Sequence, residues 1–281
     1  LELATGLVTE AARIAAEIRA EGALAARAKS NVSDLVTAAD VAAEKFVVGE
    51  LAARRPDDGV LGEEGAFANG TSGRRWVIDP VDGTYNFAAG SDYWCSAIAL
   101  AVDDQPILGA VAHHASGTVW LGGPEIGTTR NGEALAPLAD RPVAELSLAT
   151  YAHPTFIAES PAFAAWSRAA HLAATIRMFG SGSMDLAQVA SGGLGCWLQH
   201  STPAWDWLPG VALLAAVGGV YRQVEAHGLT WSVAGPSTAV AELISDHPAS
   251  HSTPDCADAT GFAFARFSVL FRHDRASFAQ R

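Results

Sequence analysis

The segment WVIDPVDGTYNF, residues 76–87, limits the folds open to this chain more than any other stretch of the sequence. Its apolar start predicts a buried β-strand, and two aspartates, Asp79 and Asp82, follow with Pro80 between them. Asp, Pro and Gly all favour turns, so turn chemistry alone could explain the pattern. A metal or acid–base site at the end of the strand is the other explanation, and the rest of the sequence has to distinguish the two.

The composition predicts a folded protein with an acidic surface. The chain has 281 residues, of which 49% are hydrophobic and 17% charged, as expected for one large domain or two smaller ones. Its formal net charge is −12, from 18 basic and 30 acidic residues, whereas a protein that binds duplex nucleic acid needs a basic face. We therefore expect no nucleic-acid partner, and an anionic substrate would need cations held at its site.

The cysteines and the apolar runs predict a cytoplasmic protein. Cys95, Cys196 and Cys256 are far apart and form no C-x-x-C pair, so we expect reduced thiols and neither a disulfide framework nor a zinc site. The N-terminal stretch mixes Glu and Arg among its apolar residues, unlike a signal peptide. The longest uncharged run, LPGVALLAAVGGVY, is too short to span a bilayer, and we expect no membrane partner. Its PGVALLAAVGG part predicts a buried helix that begins at Pro209, since proline is tolerated in a first helical turn.

Hydrophobic spacing predicts two helices near the N-terminus. Apolar residues recur at helical intervals from Leu7 to Ile18. Thr37 followed by Asp40 resembles a capping box and predicts the start of a second helix, which Pro56 and the residues beside it end. Short apolar runs after this point predict a series of β-strands.

A polar, proline-containing stretch divides the predicted elements into two groups. LAPLADRP, residues 135–142, is the candidate linker. After it, predicted strands alternate with predicted helices, which is typical of an α/β layer. The sequence therefore predicts an N-terminal α+β half, residues 1–138, and a C-terminal α/β half, residues 139–281.

Acidic residues stand at the edges of predicted elements in four places. These residues are Asp34 and Asp40, Glu63 and Glu64, Asp79 and Asp82, and Asp206. Taken singly, each has a structural explanation as a helix cap or a solvated loop end. Gathered in one cleft, carboxylates repel one another and must take up protons or hold cations. A set of oxygen ligands suits Mg²⁺ or Mn²⁺ and does not suit zinc.

The Asp79–Asp82 segment suits a cation beside an anion. A rigid turn lets both aspartates and the carbonyl of Val81 face one cation or a close pair. Gly83 and Thr84 follow at the predicted start of a helix, where backbone N–H groups and the helix dipole receive a phosphate. The carboxylates would then hold metal, and the helix start would hold an anion.

Four segments, DLVTAAD, GEE, WVIDPVDGTYNF and WDWLPG, resemble motifs of the inositol monophosphatase family of metal-dependent, lithium-sensitive phosphomonoesterases. They occur in the family's order, and the resemblance covers residues 5–245. It implies an α/β fold, a layered αβαβα sandwich of the inositol monophosphatase and fructose-1,6-bisphosphatase type, with the site between two halves. It also implies a homodimer, the common state of the family.

The resemblance assigns roles to individual residues. It implies two or three Mg²⁺ ions, or Mn²⁺, held by Glu63, Asp79, the carbonyl of Val81, Asp82 and Asp206. The implied catalytic residues are Asp40 and Thr84, which orient and deprotonate the attacking water, and Glu64, beside the metal ligands or a third ion. The implied contacts to the substrate or its phosphate are Gly83, Thr84, Gly180, Ser181, Gly182, Gln199 and Lys29. A solvated side chain is the alternative for Lys29.

The predicted function is Mg²⁺-dependent hydrolysis of a small phosphate monoester by a metal-activated water, with inositol 1-phosphate as the first candidate. Gln199 stands where inositol-phosphate enzymes commonly have a Glu that grips a sugar hydroxyl, and Gln lacks the charge to pair with an amine. Histidinol phosphate is the alternative substrate. An alternative of another class is a binding partner of the transcription and ribosome-assembly machinery.

Overall fold

Two β-sheets form the frame of the protein. The structure is a computed structural model and describes residues 1–22, 27–28 and 35–245. The strands in this part of the chain are β1 (Arg27–Ala28), β2 (Leu35–Val36), β3 (Gly59–Gly62), β4 (Phe67–Ala68), β5 (Arg74–Asp82), β6 (Cys95–Val102), β7 (Gln105–His113), β8 (Thr118–Gly123), β9 (Gly127–Arg130), β10 (Glu133–Ala134), β11 (Ser147–Thr150), β12 (Thr175–Arg177), β13 (Cys196–His200), β14 (Val220–Ala226) and β15 (Leu229–Gly235).

The strand order places β5 inside the larger sheet. The eight-stranded sheet has the order β10-β9-β8-β7-β6-β5-β3-β4, and the five-stranded sheet has the order β12-β11-β13-β15-β14. β5 runs parallel to β3 and antiparallel to β6. In the smaller sheet β11 runs parallel to both β12 and β13, and β1 and β2 pair only with each other among the described strands.

Helices cover the sheets. In the described residues they are α1 (Glu2–Ala20), α2 (Ala38–Arg54), α3 (Thr84–Ala88), α4 (Pro154–Glu159), α5 (Phe163–Leu172), α6 (Gly182–Ala190), α7 (Ala204–Ala216) and α8 (Ser237–Ser245). The two predicted N-terminal helices are confirmed as α1 and α2. The predicted capping box is present, because Thr37 and Asp40 exchange hydrogen bonds at the start of α2.

The two faces of β5 pack against different helices. Ile78 lies in one core cluster with Ala11 of α1 and Val47 of α2. The preceding residue, Val77, packs instead with Leu208 of α7. Successive side chains of a strand point to opposite faces, so the larger sheet is covered by α1 and α2 on one side and by α7 on the other.

α6 and α7 form the layer between the sheets. Leu186 of α6 and Leu213 of α7 share a buried cluster with Ala97 of the larger sheet and Trp197 of the smaller one. On the far face of the smaller sheet, α5 and α8 pack against Leu198. The order is helix, sheet, helix, sheet, helix, which confirms the predicted αβαβα sandwich.

The candidate linker separates the strands of the two sheets along the sequence. Residues 135–142 contain neither helix nor strand. The strands of the larger sheet come before this stretch in the sequence, and those of the smaller sheet come after it. All described residues fall within one unit, Leu1–His251, by their contacts. The division into halves at residues 138 and 139 stays a prediction.

Two boundaries differ from the sequence prediction. The Asp79–Asp82 segment is the irregular end of β5, with a register shift against β6, where a turn was expected. Pro80 has no N–H to donate to the sheet, so the regular ladder stops there and the strand continues past it. The helix expected to begin at Pro209 begins at Ala204, so Asp206 lies in its first turn and Pro209 lies inside it.

Candidate active site

Three carboxylates from two distant parts of the chain converge. One oxygen each from Asp79, Asp82 and Asp206 lies within 4.8 Å of the others. Asp79 and Asp82 are buried at the end of β5, whereas Asp206 is half-buried in the first turn of α7. The contact of α7 with the larger sheet therefore brings the W-D segment to the D-P-V-D segment.

The irregular end of β5 orients the first of these aspartates. Asp79 Oδ1 accepts a hydrogen bond from the N–H of Val81 at 3.1 Å. The hydroxyl of Ser96, on the neighbouring strand β6, donates to the carbonyl of Pro80 at 2.6 Å. These bonds fix the backbone at the point where the regular strand pairing ends.

Asp82 is held by the other half of the protein. Its Oδ1 accepts the N–H of Gly182 at 3.1 Å, and its Oδ2 accepts the N–H of Ser183 at 2.5 Å. Both donors belong to the first turn of α6, whose N–H groups have no partners within the helix. The side chain thus joins the larger sheet to the α6–α7 layer.

Glu63 belongs to the same acidic group. It follows β3, and its N–H donates to the carbonyl of Ile78 on β5 at 3.1 Å. Its side chain is within hydrogen-bonding reach of Asp79 and adds to the negative potential there. The next residue, Glu64, donates its N–H to Glu44 Oε2 at 2.9 Å.

A second group, built around Asp40, lies beside the carboxylates. Asp40 is fully buried, its Oδ2 accepts hydrogen bonds from the N–H and the hydroxyl of Thr37, and its Oδ1 lies 3.1 Å from Thr84 Oγ1. The same hydroxyl lies 3.0 Å from the carbonyl of Val81. It has one hydrogen and can donate to only one of the two acceptors at a time. Burial raises the pKa of Asp40, and the bonds from Thr37 and Thr84 oppose that shift.

The buried aspartates hold their protons more tightly than ordinary ones. Burial, reinforced by the charges of Glu63, Asp82 and Asp206, raises the pKa of Asp79 well above its usual range. Burial also raises the pKa of Asp82 to about 7, although the hydrogen bond from Ser183 favours its ionised form. Bringing these groups together costs electrostatic free energy that a bound cation would recover.

The donor set fits a hard divalent cation. Carboxylates and the backbone carbonyl of Val81 are the oxygen ligands that Mg²⁺ and Mn²⁺ prefer. Cys95 is close, with its Sγ 3.9 Å from Asp82 Oδ2, but its thiol is buried and its pKa is raised well above the usual value by that burial. The neutral thiol makes a soft-metal site a poor alternative.

The two predicted phosphate-contacting segments touch each other. Gly83 adopts a φ of +96°, and a Cβ on it would lie 3.1 Å from the carbonyl oxygen of Gly180 and 3.3 Å from Cβ of Ser181. A side chain at this position would be strained and crowded, which explains the glycine. The structure therefore places Gly83 and Thr84 next to the segment Gly180–Gly182.

The remaining predicted residues are placed as follows. Gln199 is half-buried on β13, where it pairs with Ser232 of β15, and its role as a substrate contact stays a prediction. Lys29 and Asp34 lie outside the described residues.

The sequence reasoning missed Asn86, two residues after Thr84. Its Nδ2 donates to the carbonyl of Tyr93 at 2.9 Å and to the carbonyl of Phe179 at 2.6 Å. This amide ties the short helix α3 to the segment that precedes α6. A polar side chain inside the D-G-T-Y-N-F run was visible in the sequence, but its partners were not.

A buried pair behind the site was also missed. The hydroxyl of Tyr93 donates to Asp185 Oδ1 at 2.7 Å, and Asp185 is fully buried. Burial raises the pKa of Asp185 to about 8, although the bond from Tyr93 opposes the shift. No acidic or aromatic spacing in the sequence pointed to this contact.

Comparison with known proteins gives the family. Residues 1–251 match the inositol monophosphatase family. The chain belongs to that family. Family members are metal-dependent phosphatases, so this protein is a phosphoric monoester hydrolase, and the acidic cluster of Asp79, Asp82 and Asp206 is a group able to hold the metal.

Individual relatives support the assignment. The chain is 31% identical over 292 residues to inositol-1-monophosphatase of Mycobacterium leprae, with 95% of this chain and 94% of that protein covered. It is 34% identical over 238 residues to inositol-1-monophosphatase SuhB of Mycobacterium tuberculosis, with 77% and 81% covered. The solved structure of extragenic suppressor protein suhB from Bartonella henselae shares the fold, with a TM-score of 0.77 at 24% identity over 87% of this chain and 96% of that one.

The described helices of this family member also bear on its relation to membranes. None of them is both long enough and apolar enough to cross a bilayer.

Proposed function

We propose that this enzyme hydrolyses the phosphate monoester of a small polyol in the presence of Mg²⁺, with inositol 1-phosphate as the first candidate substrate. The observation that carries the proposal is the junction at Val81. Asp79 and Asp82 flank this residue in the acidic cluster, and its carbonyl lies 3.0 Å from the Thr84 hydroxyl, which in turn contacts Asp40. Val81 and Thr84 therefore connect the proposed cation site to Asp40, the proposed proton acceptor.

The residues that would hold the cations are Glu63, Asp79, the carbonyl of Val81, Asp82 and Asp206. When bound, Mg²⁺ supplies Lewis acidity, which lowers the pKa of water and neutralises charge on the phosphoryl oxygens. Mn²⁺ has similar ligand preferences and is the alternative ion.

Asp40 and Thr84 would activate the attacking water. The Thr84 hydroxyl can give its proton to Asp40 Oδ1, 3.1 Å away, and take one from water in exchange. Because burial raises the pKa of Asp40, its carboxylate accepts a proton more readily than an exposed aspartate does. Thr37, which bonds the other oxygen of Asp40, keeps the receiving oxygen directed at Thr84.

The glycine segments would receive the substrate. Gly83 and Thr84 are proposed to bind the phosphate through their backbone, and the glycine at position 83 lets Gly180 approach closely, since a Cβ there would lie 3.1 Å from the carbonyl oxygen of Gly180. Gly182 and Ser181 lie at the start of α6, next to Asp82. Gln199 is proposed to bond a substrate hydroxyl, for which an uncharged amide is suited.

The test is phosphate release by the purified enzyme with Mg²⁺ and with EDTA. The substrate panel is inositol 1-phosphate, histidinol phosphate, glycerol 2-phosphate, fructose 1,6-bisphosphate and adenosine 3′,5′-bisphosphate. We expect Mg²⁺-dependent release with the highest kcat/KM on inositol 1-phosphate. A higher kcat/KM on histidinol phosphate would instead identify the protein as a histidinol-phosphate phosphatase.

The absence of metal-dependent release from every member of the panel would contradict the proposal. In that case, retention of transcription or ribosome-assembly proteins by Asp82→Asn, as well as by the wild type, would support the binding-partner alternative. Loss of those proteins with this variant would tie any binding to the intact site.

We further propose that the enzyme is a cytoplasmic homodimer. β12 forms an edge of the smaller sheet, and Ile176, Met178 and Phe179 expose apolar side chains there. Such an edge favours pairing with another chain. Sedimentation velocity at micromolar concentration is expected to show a dimer for the wild type and monomers for Ile176→Lys. A monomeric wild type at micromolar concentration would refute the dimer.

The cytoplasmic location rests on cysteine chemistry. Cys95 and Cys196 are buried free thiols in the described residues, as expected in a reducing compartment. Cell fractionation of the native host checks the location.

A further inference from the structure

One buried carboxylate outside the family motifs faces the Glu63 loop. Glu44 lies on α2, one turn after Asp40, and is 5% exposed. Its Oε2 accepts the N–H of Glu64 at 2.9 Å, and its Oε1 accepts the N–H of Ala66 at 3.0 Å. We propose that Glu44 is a positioning residue that fixes the loop of residues 62–66, so that Glu63 presents its carboxylate to the metal site.

This inference rests on the proposed function, because it takes Glu63 to be a metal ligand. The loop that carries Glu63 is short and is anchored on its other side by β5, through the bond from the N–H of Glu63 to the carbonyl of Ile78. It also closes on itself, since the N–H of Gly62 donates to the carbonyl of Ala66 at 2.7 Å. Glu44 supplies the bonds on the side of the loop that faces α2.

The two oxygens of Glu44 act on different residues of the loop. A single hydrogen bond would leave the peptide groups free to rotate about it, whereas two bonds from one carboxylate define the orientation of the loop backbone. Hydrogen bonds to charged acceptors are also stronger than those between neutral groups. Because both oxygens of Glu44 accept main-chain N–H groups of the loop of residues 62–66, the contacts assign Glu44 a role in positioning the loop backbone.

The glycine of the G-E-E segment has its explanation in this contact. A Cβ on Gly62 would lie 2.3 Å from Glu44 Oε2 and 2.6 Å from Glu44 Cδ. Real Cβ atoms do not come so close to other heavy atoms, so the carboxylate occupies the space that any side chain would need. Gly62 and Glu44 are complementary in shape as well as in hydrogen bonding.

The same helix also places the proposed base. Asp40 and Glu44 are four residues apart on α2 and lie on the same face, Asp40 toward Thr84 and Glu44 toward the loop of residues 62–66. A displacement of α2 would therefore move both together. One rigid element sets the distance between the proton acceptor and the Glu63 side of the metal site.

The test is direct Mn²⁺ binding, measured by the electron paramagnetic resonance of free Mn²⁺ in the absence of substrate. In Glu44→Gln one acceptor oxygen is replaced by an NH₂ group, which cannot accept an N–H. We expect the dissociation constant for Mn²⁺ to rise about tenfold or more, the scale reported for residues that orient metal ligands. At saturating Mg²⁺, KM for the phosphate ester should change little.

Asp58→Asn is the matched control. Asp58 is a buried carboxylate at the opposite end of β3, where it accepts hydrogen bonds from the side chains of Ser72, Arg55 and Trp76. Its replacement should lower the melting temperature without altering Mn²⁺ affinity. Equal Mn²⁺ affinity losses in Glu44→Gln and Asp58→Asn would reduce the effect of Glu44 to general destabilisation and overturn the inference.

Gly62→Ala gives a second route that leaves the carboxylate in place. Its methyl group would displace Glu44, so the Mn²⁺ affinity should fall, and the losses in Gly62→Ala and Glu44→Gln should not add in the double variant. If Glu44→Gln bound Mn²⁺ with wild-type affinity while Glu63→Gln bound it more weakly, the role of Glu44 would be refuted and the ligand assignment of Glu63 would stand. Wild-type affinity in Glu63→Gln would instead remove the ligand assignment in the proposed function, and the inference with it.

Discussion

The backbone N–H of Ser183 donates to Asp82 Oδ2 across a sequence separation of 101 residues. The N–H of Gly182 reaches the other oxygen of the same carboxylate. Asp82 is thus oriented by the first turn of α6, and its position depends on the docking of α6 against the end of β5. The proposed metal site is therefore preorganised by contacts between the larger sheet and the α6–α7 layer, as a site of defined geometry requires.

Asp79→Asn should separate catalysis from stability. We expect phosphate release to fall about a hundredfold or more, the scale for removal of one preorganised electrostatic group. In EDTA the free energy of unfolding should rise, because one of several buried, mutually repelling carboxylates is gone. Phosphate release and urea unfolding measure the two effects.

The comparison variant for stability is Asp58→Asn. Burial opposes ionisation of Asp58, but hydrogen bonds from Ser72, Arg55 and Trp76 outweigh it and lower its pKa. Its removal should therefore decrease the free energy of unfolding. Near-full turnover of Asp79→Asn with Mg²⁺ would show that the ligand assignment is incorrect.

The metal-free protein should become less stable as the pH rises. The pKa of Asp82 is about 7 and that of Asp185 about 8 in the folded protein, both raised above the values of an unfolded chain, near 4. Between pH 4 and these folded pKa values, the folded state therefore binds more protons than the unfolded state. Each group lowers the free energy of unfolding by up to about 1.4 kcal/mol for each pH unit from pH 4 to its folded pKa.

Urea unfolding in EDTA at several pH values between 5 and 8.5 tests this dependence. Asp185→Asn removes one of the two groups, so the fall in stability between pH 6 and pH 8 should be shallower than in the wild type. Added Mg²⁺ should remove the part that belongs to Asp82, since a cation favours its ionised form. Identical slopes for the wild type and Asp185→Asn would contradict the buried, protonated state of Asp185.

Thr84→Val should remove the proposed proton path and preserve the shape of the side chain. The valine has no hydroxyl to connect water with Asp40, so kcat should fall by about 10² to 10⁴, the usual contribution of a positioned acid or base. Thr84→Ser keeps the hydroxyl and should retain most of the activity. Similar kcat values for the Val and Ser variants, measured at saturating Mg²⁺, would exclude Thr84 from the proton transfer.

Asn86→Ala should affect the substrate more than the metal. The amide bonds the carbonyls of both Tyr93 and Phe179, and without it the segment before Gly180 loses its link to α3. We expect KM for the phosphate ester to rise while Mn²⁺ affinity stays close to that of the wild type. Loss of these two hydrogen bonds should also cost about 1–3 kcal/mol of stability.

Asn131→Ala provides the control for this variant. Asn131 also bonds a backbone group through its side chain, at the N–H of Val119, but in a hairpin of the larger sheet. Its removal should lower stability without changing KM. A KM for Asn86→Ala equal to that of the wild type would leave Asn86 with a structural role only.

Much of the fold was readable from the sequence because it depends on local patterns. The helical spacing of α1, the capping box of α2 and the apolar run of β5 each reflect a periodicity or a cap within a few residues. Boundaries were harder to predict. Pro80 and Pro209 look like breaks, yet β5 runs through one and α7 through the other because packing on both sides holds them.

The site was predictable only in the residues that carry a motif. Asp79 and Asp82 form a pattern within four residues, whereas Glu44 in the middle of α2 has the spacing of an ordinary surface charge. Its partners, Glu64 and Ala66, lie in the later connection between β3 and β4, and Asn86 reaches Phe179 across 93 positions. Contacts of this kind arise from the docking of layers, which no local pattern encodes.

The close approach of α7 to the larger sheet has a consequence for how the chain gains activity during folding. A Cβ on Gly109 of β7 would lie 2.1 Å from the carbonyl oxygen of Pro209, so α7 can pack this closely against β7 only because residue 109 has no side chain. We expect Asp206 to reach Asp79 only after this fit is made, because the contact closes a long loop of the chain. Phosphate release regained after dilution from urea should therefore lag behind the recovery of circular dichroism, and a bulkier residue at 109 should lengthen the lag.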